Sequence, residues 1–260
     1  MELEKKLEGN DIYFLEVLGD KIVVNDNYSG LLIYDSELNL LQEIKLMDGF
    51  VIESFFRKGK KILLICPEND SLVYLNLAEY QCKIMSLAGW EEWIFSPLFE
   101  WQEDNIILSD YEGRLVRVDL GKEEISEMVP DGKDSILEQK QKLHGFFVEK
   151  MFLEEKKAVV QNEDGDLELV DYADGISTII GLPKGEFYDF EMQEASIAEI
   201  SEDCVLETNL EDNECQEYFP ENGYCFVTGK YMIAGQQQFL VLLSSNKADA
   251  QRTKIERHLL

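Results

Sequence analysis

The 260-residue chain carries 24 Lys and Arg against 53 Asp and Glu, a formal net charge of −29. It therefore repels phosphate backbones and anionic lipid heads over about a Debye length, which argues against nucleic acid and membrane surfaces as partners. A hydrophobic fraction of 45% with 11% aromatics supplies a core and excludes an intrinsically disordered chain.

The chain opens MELEKKLEGNDIYFLEVLG, with neither a basic stretch nor an apolar run of the kind that directs secretion. The longest apolar stretches, KILLIC and QFLVLL, are far shorter than the roughly 18 residues of a membrane-spanning helix. A cytoplasmic location is the expectation, and apolar runs such as ILLIC and YCFV lead us to expect mostly buried, reduced thiols among Cys66, Cys82, Cys204, Cys215 and Cys225.

Strand-like segments then follow in groups of four. The first group reads IYFLEVLG, KIVVND, GLLIYD, LLQEIKL and the second FVIESFFRK, KILLIC, SLVYLN, CKIMSL. WIFSPLFEWQ and HGFFVEKMFLEE open the third and fourth groups with the aromatics that sheets favour. Between them, MVPDGKDSILEQKQK combines a Pro-Gly turn with helix-forming residues and reads as an insertion near 129–142.

Inside these groups one hairpin recurs: VVNDNYSGLLIYD (Val23 to Asp35), LICPENDSLVYLN (Leu64 to Asn76), ILSDYEGRLVRVD (Ile107 to Asp119) and VVQNEDGDLELVD (Val159 to Asp171). Apolar runs alternate with period two around polar turns. Gly30, Gly113 and Gly165 hold equivalent places, where left-handed backbone favours glycine, and Ser71 replaces it in the second unit. Weaker copies are AEISEDCVLETN (Ala198 to Asn209) and MIAGQQQFLVLLS (Met232 to Ser244). Aligning the units at Leu31, Leu72, Leu115, Leu167, Val205 and Phe239 gives separations of 41, 43, 52, 38 and 34, the insertion accounting for 52. Only the tail KADAQRTKIERHLL has a spacing compatible with a helix.

Repeats of about 40 to 50 residues, each with four strands, are what propeller blades require. The hairpin, a polar turn followed by x-Leu-x-x-x-Asp, resembles that of the broad β-propeller superfamily over most of the chain. No unit ends in Trp-Asp or carries a paired-Gly signature, so no subfamily and no functional residues follow from the resemblance. It implies an all-β fold: a single β-propeller domain over 1–260, six-bladed with five or seven as neighbouring counts, and binding at one mouth of a central channel. A β-sandwich of hairpins is the competing architecture. The last blade needs an outermost strand from either MELEKKLEG or TKIERHLL.

Chemical motifs are sparse. NEDGDLELVD places Asn162, Asp164, Asp166 and Glu168 at alternate positions, yet it departs from the calcium-loop order and reads as a plain turn. With only His144 and His258, a multi-histidine metal centre is excluded, and no nucleophile elbow, phosphate loop or dinucleotide fingerprint occurs. We expect no metal, no cofactor and no catalytic residue.

Charge distribution and aromatics carry the functional reading. From Gly185 to Gly229 there is no Lys or Arg, while thirteen acids from Glu186 to Glu221 include Glu202, Asp203, Glu211 and Asp212. An acidic sector steers basic partners. All three tryptophans, Trp90, Trp93 and Trp101, cluster in GWEEWIFSPLFEW, and Trp90 and Trp93 fall at a blade junction where loops emerge. The expected function is a non-catalytic, monomeric interaction module that binds a basic protein or peptide through Trp90, Trp93, Glu202, Asp203, Glu211 and Asp212. One form would be an inhibitor or immunity-type protein. The alternatives are a carbohydrate-binding or carboxylate-dependent hydrolytic protein acting at the channel mouth, and a structural subunit with a wide apolar patch.

Overall fold

A computed structural model describes residues 3–90, 92–129, 135–179 and 189–260. It contains 24 strands in chain order. Strand β1 (Leu3–Glu8) is followed by β2 (Leu15–Leu18), β3 (Lys21–Asp26), β4 (Gly30–Tyr34) and β5 (Leu40–Lys45), then β6 (Ser54–Lys58), β7 (Lys61–Cys66), β8 (Ser71–Asn76) and β9 (Gln81–Ser86). Next come β10 (Phe95–Gln102), β11 (Asn105–Asp110), β12 (Leu115–Asp119), β13 (Glu124–Met128), helix α1 (Ser135–Lys142), β14 (Phe147–Phe152), β15 (Lys157–Gln161), β16 (Leu167–Asp171) and β17 (Ile176–Ile179). The remainder forms β18 (Asp189–Gln193), β19 (Ser196–Ile200), β20 (Val205–Asn209), β21 (Cys215–Tyr218), β22 (Tyr224–Ala234), β23 (Gln237–Asn246) and β24 (Asp249–Leu259).

These strands make six four-stranded antiparallel sheets. Five are meanders of consecutive strands, and the sixth has the order β1-β24-β23-β22. The fold is a six-bladed β-propeller. The amino-terminal strand closes the last blade, with Leu3 opposite Arg257 and Glu8 opposite Arg252.

Burial explains the strand sequences. The middle strands β4 and β8 are buried along their whole length, so they read as continuous apolar runs. Outermost strands such as β5 and β9 are largely exposed and mix polar with apolar residues, Leu40 and Leu41 among them.

The chain divides into two compact units, Val51–Pro183 and the remainder. Within the first, Phe56, Leu72, Met85, Trp101 and Leu108 fill one core cluster. A second contains Leu98, Val148 and Val160, into which α1 inserts Ile136, with Leu143 following from just beyond its end. In the other unit, Leu15, Val24, Met232 and Val241 form one cluster, and Ala198, Val205, Tyr231 and Leu240 another.

Several expectations need correction. The tail is strand β24, not helix, because pairing with both β23 and β1 satisfies its backbone and overrides the helical preference of its charged residues. Met232 to Ser244 is the β22–β23 hairpin, the first of its blade, whereas the other units are second hairpins; the true counterpart turns at Asn246–Asp249. This explains the short final separation. Gly30 does not adopt left-handed backbone as Gly113 and Gly165 do; it lies in β4, where a side chain would collide with the Ile44 carbonyl. Of the cysteines, only Cys66 is buried, while Cys82 and Cys215 are exposed because they sit on outermost strands. The expected insertion holds α1, and its residues 130–134 lie outside the described part.

Candidate functional site

Within the unit Val51–Pro183, three segments meet at one end of the strands: the β9–β10 connection, the β11–β12 turn and the start of β14. Two successive turns, Trp90 N–H to the Leu87 carbonyl and Trp93 N–H to the Trp90 carbonyl, compact the first segment. They set the two indoles edge to face, 4.8 Å apart. Both are half-buried against the core around Phe95 and Leu108, so each combines a packing role with an accessible edge.

From the β11–β12 turn, Arg114 lays its guanidinium over the Trp93 ring at 4.1 Å. Asp110 orients it: Arg114 Nε donates to Asp110 Oδ2 at 2.6 Å, and the Arg114 backbone N–H donates to Oδ1 at 2.7 Å. That hydrogen bond, with the nearby charges of Asp110, Glu112 and Glu127, holds the guanidinium above its ordinary pKa. Tyr111 of the same turn stacks on Phe147, with ring centres 5.8 Å apart and planes inclined by 8°. Its N–H donates to the Ile94 carbonyl, which joins the two loops.

Tyr111, Phe147 and Ile94 are 54%, 51% and 65% exposed, and the ring stack with the Tyr111–Ile94 backbone hydrogen bond brings the three together. Acids rim it. Glu92, Glu112 and Glu149 are exposed, and Glu149 helps, after burial, to raise the Tyr111 hydroxyl. Sequence reasoning found the tryptophans but missed Tyr111 and Phe147, whose 36-residue separation conceals their contact.

The acidic candidates behave differently. Glu202 and Asp203 lie in the β19–β20 turn, and Glu211 and Asp212 in the β20–β21 turn, so β20 holds the two pairs about 15 Å apart at opposite ends. They do not form one patch. Asp203 Oδ1 accepts from Lys247 Nζ at 2.9 Å, and the Glu202 carbonyl accepts from the Phe226 N–H. Asp212 Oδ1 accepts from the Glu214 N–H and so caps its own turn.

Part of the acidic run is interior. Lys230, on the innermost strand β22, is 1% exposed and lies 2.7 Å from Asp189, 3.2 Å from Glu16 and 3.2 Å from Glu191. Burial alone would lower its pKa, but Asp189, Glu16 and Glu191 hold it well above the ordinary lysine value. Thr228 Oγ1 also donates to Asp189 Oδ2. Glu199 is buried, and burial pushes its carboxyl up to about 7. Glu186 lies outside the described residues. The sequence signal for this cluster was a lysine inside the apolar run TGKYMIA.

The turn at Asn162 is self-contained. Its Oδ1 accepts the N–H groups of Asp164 and Asp166, and its Nδ2 donates to Glu168, as in a plain Asx turn.

No family model matches the chain, and no curated protein does. Among solved structures it is similar to the Neurospora crassa Pan2 WD40 domain, with TM-score 0.56 and 8% identity over 96% of this chain and 89% of that one. It is also similar to Kluyveromyces lactis Hsv2, with TM-score 0.52 and 10% identity over 90% and 92%. At such identities the likeness shows the propeller fold alone.

Proposed function

We propose that the protein is a non-catalytic interaction module that binds a basic protein or peptide through the surface formed by Trp90, Trp93, Tyr111 and Phe147. One observation carries this reading: a stacked pair of half-exposed aromatics adjoins two tryptophans at a strand end, where loops on a rigid scaffold carry recognition. The acid rim and the net charge of −29 favour a cationic partner. Arg114 shows what these rings accept, since its guanidinium already covers one face of Trp93. Glu202, Asp203, Glu211 and Asp212 then serve long-range steering rather than contact. An inhibitor that masks a cationic protein is one form such a module takes.

Titration with arginine- and lysine-rich peptides, followed by tryptophan fluorescence, tests it. Saturable binding that weakens with salt, and that Tyr111→Ala with Phe147→Ala reduces about tenfold or more, is expected. Binding unchanged by the double variant, or no saturation up to about 1 mM peptide, contradicts it.

A further inference from the structure

The aromatic surface already holds a cation of the chain's own, and the turn that carries it does not depend on that cation. Gly113 N–H donates to the Asp110 carbonyl at 3.1 Å and Asp110 N–H to the Arg114 carbonyl at 3.1 Å. Arg114 N–H donates to Asp110 Oδ1 at 2.7 Å. These three bonds close the β11–β12 turn, and none of them uses the Arg114 side chain. That side chain is 42% exposed, so it can swing into solvent while the turn stays closed.

Its departure uncovers a complete seat for a guanidinium. The Trp93 ring lies 4.1 Å from the Arg114 guanidinium carbon. Asp110 Oδ2 stands 2.6 Å from Nε, and Glu112 Oε2 stands 3.4 Å from the outer nitrogen Nη2. The Asp110 side chain is 2% exposed, and a buried carboxylate stripped of its cation is strongly destabilising. A partner that displaces Arg114 must therefore bring a cation to the same place.

The geometry also selects which cation. An ammonium is a compact point charge, whereas a guanidinium lies flat on an indole while its edge N–H groups meet carboxylates in its own plane. Exchange of guanidinium for guanidinium keeps the ring contact and both ion pairs.

We propose that the partner's contact residue is an arginine, and that Arg114 is a resident stand-in which this arginine displaces from Trp93 and Asp110. The inference rests on the docking role proposed above and names the chemistry of its partner. Because the resident competes with the incoming side chain, the affinity of the wild type is the intrinsic one reduced by the fraction of time the seat is vacant. A seat vacant about a tenth of the time weakens binding about tenfold.

Titration of the full chain with two peptides of equal length and charge, one arginine-glycine and one lysine-glycine, followed by tryptophan fluorescence, tests it. Arg114→Ala should bind the arginine peptide about tenfold tighter than the wild type, with a gain for the lysine peptide of about twofold at most. Arg117→Ala, on an exposed side chain of β12, removes an equal charge and should change either affinity by no more than about twofold. Arg114→Gln keeps a donor for Asp110 and should shift binding in the same direction as Arg114→Ala, so the result does not depend on how well the alanine variant folds. Unchanged or weaker arginine-peptide binding by both Arg114 variants overturns the proposal and leaves the docking surface standing. An equal gain for the lysine peptide, or for Arg117→Ala, does the same. Failure of the wild type and every variant to saturate up to about 1 mM removes the docking surface and the stand-in together.

Discussion

Glu199 illustrates how much a single interior residue can contribute in so acidic a chain. Its carboxyl stands in β19 with Phe190 and Leu206 as cross-strand neighbours, and its Oε2 has no hydrogen-bond partner among the described residues. Burial raises its pKa from 4.5 to about 7. A carboxyl whose folded pKa is raised is neutral in both states below the unfolded value. Its stabilising balance is then lost as pH rises from about 4.5 through about 7, where the folded protein must ionise it without compensation. Glu199→Gln should therefore leave stability near pH 4.5 unchanged and raise it at pH 8 by on the order of 3 kcal/mol, read from denaturant unfolding at both values. Parallel wild-type and variant curves would contradict this. Lys230 is the converse case, a cation whose burial is compensated by three carboxylates.

At the scale of elements, each blade depends on strands buried on both faces and on close approach between neighbours. Gly30 opens β4 opposite Lys45 of β5, and there the limit is contact with the Ile44 carbonyl rather than backbone angle. Gly30→Ala should lower the unfolding free energy by about 1 to 3 kcal/mol through forced separation of the pair, measured by urea denaturation. A neutral effect would show that β5 yields freely.

The second hairpins of blades one to four were legible because each sets an apolar-rich strand on either side of a polar turn, continuous in β4 and β8 and interrupted by Arg117 in β12 and Glu168 in β16. The last blade was not. Its β23–β24 hairpin turns on Asn246 to Asp249, and β24 carries Gln251, Arg252, Lys254 and Glu256, residues that favour helix until two neighbouring strands claim the backbone. Which terminus supplied the outermost strand of the last blade was likewise set by pairing, not by local pattern.

At the scale of the whole molecule, function follows from which ends of the strands carry which residues. The tryptophans were recognisable because Trp in a connection between blades is either core or surface, and here Trp90 and Trp93 are half-buried against the core. Tyr111 and Phe147 were hidden, since only the propeller topology brings a second-hairpin turn beside the next blade's first strand. The acidic run misled in the other direction. Consecutive turns of a meander alternate ends, so acids eight or nine residues apart, such as Glu202 and Glu211, are separated by a whole strand. A net charge of −29 sets up a negative field whose reach shortens as salt rises.

The central claim, that an acidic propeller docks a basic partner on its aromatic surface, is tested most directly by affinity capture from native lysate at low salt. Elution follows on a salt gradient, with Tyr111→Ala/Phe147→Ala run alongside the wild type. Our account predicts a stoichiometric basic protein on the wild type alone, released as salt rises. Recovery of no such protein, or its equal retention by the variant, would contradict it.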